Sequence, residues 1–374
     1  MAKHAILSAS SSHRWLNCPP SARLCEAYED KGSDYAAEGT DAHALCEFRL
    51  KQALGIPAEN PIENLSWYNE EMEDCAAGYA AYVTELFETA EQTCSDPLVL
   101  IEQRVDFSRW VKDGFGTADC ILIADGVLNI VDYKHGKGVK VSAEGNTQLF
   151  LYSLGALEIF DGIYDIETVR MTIFQPRLSN ISISEVSKTT LLEWANTELA
   201  LKAQLAYEGK GDFHSGEWCR FCKAKAVCRK RAETNFTLAK YDFEAPALLD
   251  DEEIADILGK VDALTAWAAD VKEYALQQAV SGKEWTGWKL VEGRSNRKYT
   301  NDAVVAATVE GAGFDPYKRK VLGITAMQKL LGKSRFEELL APYIEKPQGN
   351  PTLVPESDKR PAINTAKNDF MEEF

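Results

Sequence analysis

The spacing of apolar and polar residues changes period several times along the chain, and each change marks an element. Residues 68–93 carry Tyr79, Tyr82, Val83, Leu86 and Phe87 three and four apart, which predicts a helix. Residues 97–107 (PLVLIEQRVDF) are strand-like. Residues 116–134 (GTADCILIADGVLNIVDYK) read as two strands joined at Asp125-Gly126, a dipeptide suited to a tight hairpin. Helical spacing returns over 143–160, with Ser142 as the expected N-cap. Two strands, 169–176 and 181–188, and a helix from Thr189 to about Tyr207 follow. Ahead of all these, the stretch to Leu54 has helical patterning broken at Cys18-Pro19-Pro20. The order predicts an α/β (α+β) core, a sheet flanked by helices.

Beyond residue 240 the character shifts. Acids crowd 242–256, and Ile254, Ile257, Val261, Leu264, Ala268, Val271 and Ala275 form a heptad seam that predicts helices packed on their own domain. Residues 284–299 suggest a small hairpin and 301–343 more helix, while the stretch from Lys346 is polar and proline-bearing. The expected organisation is a domain over 1–240, a mainly helical one over 241–345, and a flexible tail over 346–374.

Composition narrows the function classes. The 374 residues include 41 Lys+Arg and 58 Asp+Glu, a net charge of −17, which at face value disfavours a nucleic-acid partner. No window approaches about 18 uninterrupted apolar residues, so no membrane span is expected. The first residues lack the apolar core of a secretory leader, which points to the cytoplasm. Nine cysteines, an odd number, argue against a fully paired disulfide framework and turn attention to metal binding. There is no G-x₄-G-K-[ST] sequence, so an ATP-driven helicase is excluded.

The chemistry concentrates around Asp119 and Asp132-Tyr133-Lys134. Residues i and i+2 of a strand share a face, so Asp132 and Lys134 project together, and the hairpin folds Asp119 back beside them. Two converging carboxylates make a hard-oxygen site for Mg²⁺ or Mn²⁺, and a neighbouring lysine can orient water and steady a phosphate. The tripeptide alone reads more readily as an exposed strand end with a surface ion pair. His43, after a glycine turn at the start of an expected helix, and Gln148 with Tyr152, four apart on one helix face, strengthen the first reading.

The ordered series His43, Gly116-x-x-Asp119, Asp132-x-Lys134 and Gln148-x-x-x-Tyr152 resembles the RecB-type branch of the PD-(D/E)XK nuclease superfamily over residues 1–235. Asp132 stands where many members have Glu, which is within the family pattern. The resemblance implies a restriction-endonuclease-like fold, a mixed sheet flanked by helices with the metal at one edge. It further implies that His43, Asp119, Asp132 and the Tyr133 carbonyl ligate the metal, and that Lys134 acts on the nucleophilic water. Gln148 and Tyr152 would position DNA or the Lys134 ammonium, and Glu38 would reach a second metal through water.

Cys219, Cys222 and Cys228 form C-x₂-C-x₅-C, three thiols able to hold one metal centre that needs a fourth ligand. The candidates are Cys18, Cys25, Cys46, Cys75, Cys94 and Cys120; Cys120 sits in an apolar strand, and Cys25, Cys46, Cys75 and Cys94 fall in helical patterns where a buried thiol is the default. Spacing does not separate zinc from iron–sulfur. The chain also resembles the iron–sulfur subgroup of RecB-type nucleases (AddB-like subunits and CRISPR-associated Cas exonucleases). That likeness implies Cys18 as the fourth ligand and a [4Fe–4S] cluster, with zinc as the alternative.

Basic residues gather at 219–231 (Arg220, Lys223, Lys225, Arg229, Lys230, Arg231) and at 316–335 (Lys318, Arg319, Lys320, Lys329, Lys333, Arg335). Trp285, Trp288, Arg294, Arg297, Lys298 and Tyr299 mix rings with cations, as single-strand platforms do. The expectation is a Mg²⁺- or Mn²⁺-dependent exodeoxyribonuclease of the bacterial cytoplasm, similar to phage-borne forms that resect DNA ends for a single-strand annealing protein or recombinase. The alternatives are a non-catalytic DNA-binding protein that keeps the fold and a zinc-stabilised, recombinase-recruiting module.

Overall fold

The computed structural model describes residues 5–28, 32–238, 249–292, 299–317, 321–345, 354 and 358, with the side chains of 325, 329 and 333 left out. Two short helices, α1 (Ser12–Asn17) and α2 (Ser21–Glu26), precede the long α3 (Asp34–Ala53) and α4 (Glu70–Thr93). Three strands follow: β1 (Leu98–Asp106), β2 (Phe115–Ala124) and β3 (Val127–Tyr133). Helix α5 (Thr147–Tyr164) crosses to β4 (Thr168–Gln175) and β5 (Asn180–Ser187). Helix α6 (Lys188–Trp194) runs through a π-helical stretch, Ala195–Leu199, into α7 (Ala200–Glu208). A 3-10 turn (Glu217–Phe221) and α8 (Arg229–Phe236) carry the cysteine segment; α9 (Asp251–Leu258) and α10 (Val261–Val280) come next.

The five strands form one mixed sheet in sequence order, and only β3 and β4 pair in parallel. This is the expected sheet flanked by helices. Parallel neighbours require a crossover, which is why α5 lies across the sheet between β3 and β4. Asp125 and Gly126 both have positive φ (49° and 73°), as a two-residue hairpin demands, and Ala124 pairs with Val127 across it.

Each face of the sheet buries its own core. One includes Ile121, Ile130, Leu149 and Leu154 and packs α5 against the strands. The other joins Leu45, Met72, Tyr79, Val131 and Tyr133, seating α3 and α4 on the opposite face. Within α5, Gly155 lets the helix approach β1: a Cβ there would stand 2.8 Å from Val105 Cβ and 3.1 Å from the Asp106 backbone.

Several boundaries differ from expectation. Asn146, not Ser142, caps α5: its side chain accepts from Gln148 N and Leu149 N, while Ser142 closes a local turn onto Glu144 N. Ser33 caps α3 through Ala36 N, so the helix starts at Asp34 and His43 sits mid-helix. The heptad seam is broken between α9 and α10, where Gly259 follows the last turn. No strand occurs among the described residues of 284–299; 293–298 lie outside them.

The chain divides into two compact units, Met1–Gln277 and Gln278–Phe374. The expected boundary at 240 lies outside the described residues. The larger unit extends past it because Asp270 of α10 pairs with Lys225 (2.8 Å) and Arg231 (2.5 Å) beside the cysteines. The smaller unit holds α11 (Asp302–Gly311), α12 (Ile324–Leu331) and α13 (Lys333–Leu340); of the expected tail, only Val354 and Asp358 are described. No helix among the described residues is long and apolar enough to cross a membrane.

Replacing Gly155 by Ala should force α5 away from β1 and lower stability by about 1–3 kcal/mol. Denaturant unfolding of the variant checks this; unchanged stability would mean the helix is free to shift.

Candidate active site

The end of β3 delivers the reactive groups. Asp132 pairs with Ile173 in the middle of the sheet and is buried, while Lys134, two residues on, continues the ladder through its N–H to Phe174 O (2.9 Å). Their side chains share the face covered by α5, and the Lys134 ammonium lies 2.8 Å from Asp132 Oδ2. That approach is off the hydrogen-bond line, leaving Oδ2 a buried oxygen with charge compensation but no aligned donor.

Gln148 joins the pieces. Its Oε1 accepts from Lys134 Nζ (3.0 Å), and its Nε2 donates to Asp132 Oδ1 (3.1 Å) and to the Tyr152 hydroxyl (3.1 Å). The four-residue spacing places Tyr152 one turn further along α5, over β2. There Gly116 makes room: a Cβ would fall 2.6 Å from Tyr152 Cε1. The glycine of the G-x-x-D sequence therefore serves the tyrosine of the Q-x-x-x-Y sequence.

Asp119 is held from two sides. Its Oδ2 accepts from Tyr133 N (2.7 Å), which locks β2 against the end of β3, and its Oδ1 lies 3.4 Å from His43 Nδ1 on α3. His43, Asp119 and Glu102 offer ligand atoms all within 4.8 Å of one another, and among the described residues no other three His, Cys, Asp or Glu do so. The seven site residues expected from the sequence thus gather at one sheet end. Asp132 stands outside the tightest trio, where Glu102 takes the third place.

Glu102 escaped sequence reasoning. It occupies β1 opposite Asp119, at a point where the ladder skips between Ile101–Cys120 and Gln103–Ala118, and its φ is +51°. A non-glycine residue held there costs about 1–3 kcal/mol and marks a position the surroundings over-determine. The only trace in the sequence is a single acid interrupting the apolar run LVLI.

Burial governs the electrostatics. Desolvation pushes the Asp132 carboxyl up, against the pull of Lys134. Burial draws the Lys134 ammonium down, but Asp132 and Asp119 outweigh it and the net shift is upward. His43 likewise rises, because Asp119 overcomes desolvation. Glu102 is pushed up to about 7 by burial, aided by the Asp119 charge.

Glu38, implied as a second-metal residue, is engaged elsewhere. Its Oε1 accepts from Arg177 (2.9 Å) and lies 3.5 Å from His135 Nε2, and His135 Nδ1 is 2.7 Å from the Tyr133 hydroxyl. Arg177 also binds Glu71 (2.9 Å), so these side chains brace α3 and α4 behind Tyr133.

The cysteines form a second site. Cys18, Cys219, Cys222 and Cys228 all line one small cavity, together with Arg14, His214 and Trp218. Cys25, expected to be a bystander, is buried with its Sγ 3.7 Å from Cys222 Sγ. Cys120 is buried in the core, as its apolar strand predicted.

The structure also re-sorts the basic residues. Arg231 is buried and, with Lys225, committed to Asp270, whereas Arg220, Lys223, Arg229 and Lys230 face solvent. Trp288 is 83% exposed and so is not a core residue. Arg294, Arg297, Lys298, Lys318, Arg319 and Lys320 lie outside the described residues, as do the side chains of Lys329 and Lys333.

A family model described as "Protein of unknown function (DUF2800)" matches residues 4–361. The chain belongs to this family. Among solved structures it is similar to one described as "Crystal structure of SSO0001", at 14% identity over 50% of this chain and 95% of that one, with a TM-score of 0.22.

The raised Glu102 carboxyl has a signed consequence for this DUF2800 chain. Folding favours its protonated form, so the stability it contributes is present at low pH and lost as pH rises from about 4.5 toward 7. Without divalent metal, Glu102→Gln should flatten that part of the stability–pH profile and raise the melting temperature at pH 8 relative to wild type. Parallel profiles from pH 4.5 to 8 would contradict the assignment.

Proposed function

We propose that the chain is a metal-dependent deoxyribonuclease of the RecB-type PD-(D/E)XK kind, an exonuclease that resects DNA ends in recombination or repair. The observation that carries this reading is the Gln148 bridge, which fixes Asp132, Lys134 and Tyr152 in one network at the strand end beside Asp119. A bare surface ion pair has no use for such a scaffold. The donor set suits Mg²⁺ or Mn²⁺: hard oxygens, one imidazole, and a buried carboxylate oxygen without an aligned donor.

His43, Asp119, Asp132 and the Tyr133 carbonyl would hold the cation, with Glu102 as a further carboxylate. When bound, it supplies Lewis-acid stabilisation of the phosphate and an acidified water. Lys134, kept charged by Asp132 and aimed by Gln148, orients the attacking water and steadies the charge growing on the phosphate. The Tyr133 N–H keeps Asp119 in place throughout. In the cysteine segment, the exposed Arg220, Lys223, Arg229 and Lys230 offer phosphate contacts. The product end would pass to a single-strand annealing protein or recombinase in a bacterial, phage-associated setting.

Cys18, Cys219, Cys222 and Cys228 line one cavity, as four ligands of a single metal centre would. The resemblance to the iron–sulfur subgroup favours a [4Fe–4S] cluster there, with tetrahedral zinc as the alternative.

End-labelled linear and nicked-circular DNA, incubated with Mg²⁺ or Mn²⁺, test the reading. Wild type should degrade linear DNA, and Asp132→Asn or Lys134→Ala should slow it by at least about 10²-fold. Linear DNA that stays intact while still bound would sink the enzyme reading; circles cut as fast as linear DNA would remove the exonuclease label.

Anaerobic purification should give a brown protein carrying iron and sulfide, and Cys219→Ser should lose colour and solubility together. Colourless wild type with stoichiometric zinc would overturn the cluster.

A further inference from the structure

We propose that Cys25 and Cys222 are a peroxide-responsive thiol pair, a modification site that closes to a disulfide when the cysteine cavity holds no metal. The two sulfurs stand 3.7 Å apart although 197 residues separate them in sequence, and this is the one sulfur–sulfur hydrogen bond among the described residues. Both side chains are buried (6% and 8% exposed) and share a small apolar cluster with Ala224, so nothing polar separates them. A disulfide needs about 2.05 Å between sulfurs, so closure asks the two sulfurs to approach by roughly 1.7 Å.

Arg14 marks Cys25 as the attacking partner. Its NH1 lies 3.4 Å from Cys25 Sγ and is anchored by Ser21 O (2.7 Å) and Ser21 Oγ (3.0 Å), which sets a fixed cation against the sulfur that must carry negative charge. Burial selects a small oxidant, hydrogen peroxide, over bulky disulfides. The Cys25 sulfur attacks one peroxide oxygen, the O–O bond breaks, and a sulfenic acid forms with release of water. The Cys222 sulfur then attacks the sulfenic sulfur, the S–O bond breaks, the S–S bond forms, and a second water leaves. Two thiols are oxidised and one peroxide is reduced to two waters.

The disulfide stands on geometry alone; its competition with metal, because it consumes Cys222, rests on the cluster reading. The full chain is purified without air, assayed for iron and zinc, and stripped with a chelator. It is then exposed to hydrogen peroxide, alkylated and peptide-mapped. The expected product is a Cys25–Cys222 linked peptide, two hydrogens lighter and reversed by dithiothreitol. Cys25→Ser, or Cys25→Ala if serine unfolds the chain, should leave Cys222 open to alkylation and metal content unchanged. A Cys219–Cys222 or Cys18–Cys228 link as the main product, or Cys25 overoxidised without any link, overturns the proposal. So does loss of metal in the Cys25 variants, which would make Cys25 a ligand. Wild type that never held metal yet forms the link sinks the cluster and leaves the thiol pair standing.

Discussion

A carboxylate, Asp132, is buried in the middle of the sheet beside a half-buried lysine, Lys134, and much of the surrounding structure follows from that. Burying a carboxylate is costly unless its lone pairs and charge are answered. Here the answer comes from a single amide. Gln148 donates to the acid, accepts from the ammonium and donates again to Tyr152, so three groups with different requirements share one rigid residue. Gln148 reaches them only because α5 crosses the sheet between two parallel strands, and the Tyr152 ring fits against β2 only because residue 116 has no side chain. Asp132 Oδ2 is answered by charge alone, from the Lys134 ammonium 2.8 Å away.

Charge in this protein is organised by distance rather than by total. The sum of −17 is real, but it says little about any one surface. Acids cluster at the start of α9, where Asp250 and Glu253 form a capping box and the neighbouring carboxylates favour the helix N-terminus. The cysteine segment, without an acid between Cys219 and Arg231, keeps four cations at its surface after Asp270 has taken two. Screening confines each of these fields to about 10 Å at ordinary ionic strength, so opposite patches coexist on one chain.

Much of this could be read from the sequence because the informative signals are local. The Asp125-Gly126 hairpin, the two strands it joins and the four-residue spacing of Gln148 and Tyr152 depend on neighbours a few positions away, and the structure holds each as expected. Pairings across long separations stayed hidden. Glu102 meets Asp119 only after β1 folds onto β2, and its left-handed backbone leaves no mark in composition. Cys25 looks like any helix cysteine until residue 222 arrives beside it. The cap of α5 was misplaced because Ser142 and Asn146 are both good caps, and only the path of the loop decides between them.

The opening segment of the chain is finished by residues made much later. Helices α1 and α2 rest on α7, with Arg23 Nε donating to Tyr207 O at 2.5 Å, and Cys18 shares its cavity with Cys219, Cys222 and Cys228. On a ribosome, the first two helices therefore emerge well before their partners exist. At about 5–20 residues per second, the 210 positions between Cys18 and Cys228 correspond to some 10–40 s of synthesis. Over that interval Trp15 and Leu16, buried in the finished protein, gain their native cover in steps, first from α5 and then from α7, and the Cys18 cavity closes only once Cys219, Cys222 and Cys228 arrive. The packing of α1 and α2 is thus completed late in synthesis, and the exposure of the Cys18 thiol to chaperones and oxidants is set by the pace of translation.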